Sequence, residues 1–153
     1  MTQMEINDRV RAQTAAHIND EIDRQTKRRL LRASGAPPAA ISRLIDDLDE
    51  EWDIERWLET NASLLALSGT LLGIFVNKKF LAIPCLVLPF LLQHAIQGWC
   101  PPVPLFRRKG IRTRREIDVE KYSLKALRGD FAEVKRNGAP IEEAQAAWKA
   151  ATA

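Results

Sequence analysis

Cysteine is scarce in this chain, with two in 153 residues. That excludes a disulfide framework, and no Cys-x-x-Cys pair exists to hold zinc or exchange disulfides. Cys85 and Cys100 fall on one predicted helix, about 22 Å apart along its axis. A disulfide needs Cα atoms within about 7 Å, so the two do not pair within that helix. Met1–Val10 lacks an apolar run and carries Glu5, Asp8 and Arg9, which excludes a cleaved secretory signal. No phosphate-cradling loop, Ser/His/Asp set or paired-carboxylate site is present, so neither an enzyme nor a cofactor is predicted. Charge is absent from the middle third: Thr60–Asn77 and Phe80–Phe106 contain none and are separated only by Lys78 and Lys79.

These uncharged stretches dominate the reading. A hydrocarbon core about 30 Å thick needs roughly 20 apolar residues. Phe80–Cys100 supplies 21 uncharged residues and Thr60–Asn77 supplies eighteen. Trp57 and Trp99 stand where interfacial aromatics belong. A mean hydropathy of −0.24 conceals this, because the charges lie outside the spans. Nine Lys/Arg and thirteen Asp/Glu precede Thr60, whereas twelve Lys/Arg and seven Asp/Glu follow Phe106. The short connector Asn77–Lys79 joins only antiparallel neighbours, so both arms lie on one side. Arg107, Arg108, Lys109, Arg112, Arg114 and Arg115 follow the second span at once, against two lysines on the other face. The positive-inside rule therefore predicts cytoplasmic arms. The same six basic residues are predicted to meet an anionic leaflet, each contributing about 1 kcal/mol. Nucleic acid is not predicted as a partner, because the segment lacks interleaved aromatics and is held at the membrane.

Within the first span Ala62, Ala66, Gly69 and Gly73 share a face, and Gly69 and Gly73 form a Gly-x-x-x-Gly pair. Small residues let helix backbones approach closely in lipid. The face either packs on the second span of the same chain or forms a homo-oligomer contact. Pro84 and Pro89 are predicted to kink the second span. Gln93, His94 and Gln97 would line a path if the chain formed an oligomeric channel or exporter.

Each arm reads as amphipathic helices. Residues about 4–33 carry Ile6/Val10 and Ile18/Ile22 pairs at helical spacing, ending in a basic stretch before Ser34–Pro38. A second helix aligns Ile41, Leu44, Ile45, Leu48 and Trp52. Its other face, Asp46, Asp47, Asp49, Glu50 and Glu51, is either solvated or paired with the basic segment after the second span. Thr113 and Glu116 have capping-box spacing and open a helix bearing Ile117, Leu124, Leu127 and Phe131. Gly138–Pro140 precedes a last helix with Ile141, Ala144 and Trp148 as its apolar positions. The Arg128-Gly-Asp130 triplet matches an adhesion tripeptide only by its letters.

Two spans closed by Gly98, Trp99, Cys100 and Pro101, then a basic stretch, resemble the YgaP-like transmembrane domain family over about residues 54–112. The resemblance implies a small two-span protein of the bacterial inner membrane. Some relatives in that family carry a rhodanese domain; neither arm here has a cysteine or room for an α/β fold, so sulfur transfer is not carried over. Cys100 remains the one candidate thiol site, since nearby Arg107 and Arg108 would favour its thiolate.

The expected fold is all-α: a two-helix transmembrane hairpin with amphipathic cytoplasmic helices on both arms. Its segments are an arm over residues 1–56, the hairpin over 57–106 (spans about 58–77 and 80–100) and a second arm over 107–153. The expected role is a membrane interaction or scaffold module, self-associating through its small-residue face. A thiol or sulfur-relay accessory using Cys100 and a small channel are the alternatives.

Overall fold

The computed structural model describes residues 8–134 and 140–152. Every regular element among them is helical. The elements are α1 (Arg9–Ala12), α2 (Ala16–Ala33), α3 (Pro38–Glu50), α4 (Ile54–Phe75), a 3-10 turn (Lys78–Leu81), α5 (Ala82–Gln97), α6 (Val103–Arg108), α7 (Arg114–Arg128) and α8 (Pro140–Thr152). The chain divides into two compact units, one of Met1–Ile22 with Trp52–Arg115, the other of Asp23–Glu51 with Glu116–Ala153.

The first unit holds both long apolar helices. Asp53 opens α4 by accepting from the Arg56 N–H at 2.8 Å, which satisfies one of the free donors at a helix start. The helix runs to Phe75, and the next cap is Asn77, whose side chain accepts from the Lys79 N–H at 2.9 Å. Both α4 and the segment Lys78–Gln97 are long and apolar enough to cross a membrane. Pro84 does not interrupt α5 as expected: it lies in the first turn, where a proline has no helical hydrogen bond to forfeit. Pro89 stands inside the helix.

The small-residue face of α4 is turned onto α5. A Cβ at Gly69 would lie 2.7 Å from the Ile83 Cβ and 2.8 Å from the Pro84 Cδ. One turn on, a Cβ at Gly73 would lie 2.5 Å from the Leu81 Cδ2. Gly69 and Gly73 are buried, while Ala62 and Ala66 are half-buried. Of the two uses expected for this face, Gly69 and Gly73 make the one within the chain, against the start of the second apolar segment.

At one end of these helices Val10, Ile54, Leu58, Cys100 and Val103 form a small core, flanked by Phe106 and Ile111. The arm helix expected over 4–33 is broken at Gln13–Ala15; its residues before Asp8, Ile6 included, lie outside the described part. Asp8 caps α1 by accepting from the Val10 and Arg11 N–H groups at 3.1 and 3.0 Å. The Asn19 amide of α2 donates to the Arg11 carbonyl at 3.0 Å and accepts from the Arg107 guanidinium at 2.9 Å. Arg107 also donates to the Ile111 carbonyl at 3.1 Å. Asn19 thus ties α1, α2 and α6 together.

The second unit packs Ala33, Ile41, Ile45, Leu48, Ile117 and Leu124 into a core. Leu44 stays exposed, and Trp52 falls beyond α3, so the predicted stripe narrows to three residues. Arg29 holds Glu120 through two bonds of 2.7 and 2.8 Å. On the acidic face of α3, Asp46, Asp47, Asp49 and Glu50 are exposed, and Asp49 accepts from Lys121 at 2.5 and 2.8 Å. On α7, Ile117 and Leu124 are buried, but Leu127 is exposed and Phe131 lies past the helix end. Gly129, at φ 93°, closes α7, and its N–H and that of Asp130 both reach the Lys125 carbonyl at 3.1 Å. The Arg128-Gly-Asp130 triplet is folded on itself, with Arg128 donating to Asp130 at 2.8 and 2.6 Å. On α8, Ile141 and Trp148 are exposed and Ala150 is the buried position. Gly138 and Ala139 lie outside the described residues.

Candidate functional site

Three connections converge where α4 begins and α5 ends. The Ile54 N–H donates to the Arg112 carbonyl at 2.9 Å, pinning the segment before α7 to the start of α4. The Thr113 hydroxyl donates to Asp8 Oδ2 at 2.5 Å, pinning the same segment to α1. The Arg9 guanidinium donates to the Ala95 carbonyl, joining α1 to the last turn of α5. That turn ends at Gly98, whose φ of 75° closes the helix in the left-handed conformation while its N–H reaches the His94 carbonyl at 2.7 Å. Gly98 is required twice, since a Cβ there would also come within 2.6 Å of the Arg9 carbonyl carbon.

These contacts enclose a cavity of about 540 Å³ lined by charged and polar side chains. Glu55 and Glu59, one helical turn apart on α4, form one wall, with His94 and Leu91 of α5 beside them. Arg9, Arg114 and Arg115 supply the positive charge. His94 is buried, 8% exposed, and its Nδ1 makes no hydrogen bond; Glu55 Oε2 is likewise buried without a partner. Burial pushes the Glu55 carboxyl above its ordinary value of 4.5, reinforced by the nearby Asp53 and Asp8 charges and opposed by backbone hydrogen bonds. The pocket thus brings side chains of both charge signs together. Among the described residues no His, Cys, Asp and Glu side chains converge as a metal-binding group.

A second, apolar cavity of about 380 Å³ is lined by Leu58, Leu65, Phe90, Cys100, Pro102 and Phe106, among others. Cys100 is 3% exposed and packs in the core with Val10, Ile54, Leu58 and Val103. It lies three residues past the end of α5, enclosed by apolar side chains rather than open to solvent beside its basic neighbours. Arg107, one of those neighbours, is committed to Asn19 and Ile111. The Cys100 thiol site accordingly lacks the exposure a reactive cysteine needs.

The basic run is also corrected. Arg107 and Arg112 are 1% and 5% exposed and so are not offered to lipid headgroups. Arg108, Lys109, Arg114 and Arg115 are exposed. Gln93 and Gln97 meet each other at 3.5 Å, whereas His94 turns into the polar cavity, so the three do not share one path. Asp8, Arg9, Glu55 and Glu59 escaped the sequence reading. The one available signal was Glu55 and Glu59 at i,i+4 spacing beside the start of an apolar helix.

Comparison of the chain with protein-family models, curated proteins and solved structures returns no match.

Proposed function

We propose that this chain is an integral membrane protein whose α4 and α5 form a transmembrane hairpin, with both arms on the cytoplasmic side as an interaction platform. One observation carries the reading: the apolar helices are left uncovered. Leu64, Leu67, Ile74, Phe75, Leu86 and Leu92 are each 58% to 80% exposed. Only 11% of the most apolar stretch within Lys78–Gln97 is buried by protein. Each such side chain left in water forgoes about 1.5–3 kcal/mol of burial, and contiguous apolar surface this long is not tolerated on a soluble monomer. Lipid supplies the missing cover.

The sixteen residues of α5 give about 24 Å of helix, a little short of the hydrocarbon thickness. The 3-10 turn extends that reach, and Lys78 and Lys79 snorkel at the far interface. Trp52 and Trp57, with ring centroids 5.2 Å apart and the Arg56 guanidinium 4.3 Å over the Trp52 ring, anchor the near one. Exposed Arg108, Lys109, Arg114 and Arg115 bias that end toward the cytoplasm and toward anionic lipid. Because the glycine face is spent on α5, the platform is the part left to meet partners. Kinship with the YgaP-like family and a place in a bacterial inner membrane belong to the same proposal, supported by the Gly98–Pro101 closure of the second span.

Alkaline extraction of membranes from expressing cells tests the reading. Full retention in the membrane pellet is expected. Release into the supernatant as a monodisperse soluble species would overturn it.

A further inference from the structure

The polar cavity lies at the cytoplasmic end of α4 and α5, the level at which phospholipid headgroups would stand if the membrane reading holds. Its lining carries both signs of charge: Arg9, Arg114 and Arg115 with the capping Asp8 from the arms, and Glu55 and Glu59 from α4. If these groups merely neutralised one another, their buried polar atoms would be satisfied. Instead Glu55 Oε2 and His94 Nδ1 are buried and unpaired, both on the wall formed by α4 and α5. Such groups are costly to leave so in a folded protein, and they mark where a hydrogen-bond partner is missing.

We propose that this cavity binds the headgroup of an amine-bearing phospholipid, with its phosphate toward Arg9, Arg114 and Arg115 and its ammonium toward Glu55, Glu59 and His94. The inference rests on the membrane reading above. A primary ammonium supplies the hydrogen-bond donors that the acidic wall lacks, and guanidinium groups suit a phosphate. A choline headgroup fits poorly: it has no donor hydrogen and is recognised by aromatic faces, and no aromatic residue lines the cavity. A glycerol headgroup brings the phosphate without a cation to face Glu55 and Glu59.

The full chain reconstituted in nanodiscs of equal ethanolamine, choline and glycerol phospholipids, with matched acyl chains, provides the test by native mass spectrometry. One retained ethanolamine lipid is expected, favoured about tenfold over either competitor, the ratio one charge-assisted hydrogen bond supports. Glu59→Gln, at an exposed position that tolerates substitution, is expected to bring that ratio close to one. Arg115→Ala is expected to lower retention of all three lipids together. Equal retention by the inserted wild type, or a preference untouched by Glu59→Gln, would overturn the proposal. Displacement of the lipid by an equal concentration of free phosphoethanolamine would assign the site to a soluble ligand and overturn the lipid source. Failure of the chain to insert at all overturns the membrane reading, whereas insertion without selectivity overturns only the headgroup site.

Discussion

Gly69→Ala is the most informative single change in the helix pair. The added Cβ meets the Ile83 Cβ at 2.7 Å and the Pro84 Cδ at 2.8 Å, where ordinary carbon contacts lie near 3.5–4.0 Å. Neither neighbour yields by rotating a side chain, because one atom is fixed to the α5 backbone and the other belongs to a ring. The helices must separate by several tenths of an ångström, an overpacking cost of about 1–3 kcal/mol. Replacing glycine by alanine inside a helix returns about 0.8–1.0 kcal/mol. The net loss expected is about 1 kcal/mol, with a ceiling near 2. Gly73→Ala makes the internal comparison. Its nearest neighbours are the Leu81 Cδ2 and Cγ, at 2.5 and 2.7 Å, which swing aside on a flexible side chain. Overpacking and propensity should nearly cancel there. Reversible unfolding in mixed micelles, followed by tryptophan fluorescence, ranks the two variants. A Gly69→Ala protein as stable as Gly73→Ala would refute the close contact of α4 with α5 at this point.

Gly98→Ala combines a left-handed conformation, unfavourable by about 1–2 kcal/mol for a residue with a Cβ, with a clash against the Arg9 backbone. Limited proteolysis should then cut within residues 8–15, which the wild type protects. Glu55 has its proton affinity raised by folding, so the native state binds the proton more tightly than the unfolded chain. Stability should therefore fall as pH rises from about the ordinary carboxyl value toward the raised one. Glu55→Gln should abolish that slope in thermal melts at successive pH values; a slope left unchanged would exonerate Glu55. Arg107→Ala strands Asn19 and the Ile111 carbonyl in a buried setting and should lose about 2–4 kcal/mol. Arg108→Ala, one residue on and exposed, should be nearly neutral in the same melt.

The two long apolar helices were legible because their signal is local: an uncharged run of eighteen residues or more needs no tertiary knowledge. The Gly69 and Gly73 face was legible for the same reason, though not what it packs against, since lipid association and intrachain packing ask for the same small residues. The basic run misled because linear charge does not reveal which side chains turn inward. Arg107 turns in to reach Asn19, 88 positions earlier in the chain. The polar cavity was hidden more deeply. It is assembled from four separate segments, and the bond that closes it joins Thr113 to Asp8 across 105 positions. Helix periodicity carries no information at that range. The break between α1 and α2 was missed because continuous apolar spacing outweighed the local bonds, such as Thr14 to the Val10 carbonyl at 2.7 Å, that end α1.

The central claim is a hairpin in lipid with its polar base on the cytoplasmic side. Single cysteines placed by Lys78→Cys and Arg108→Cys in a Cys85→Ala background, with Cys100 shielded in its core, probe both ends in intact cells. A membrane-impermeant maleimide is expected to label position 78 from outside and position 108 only after the membrane is breached. Labelling of position 108 in intact cells would contradict the account.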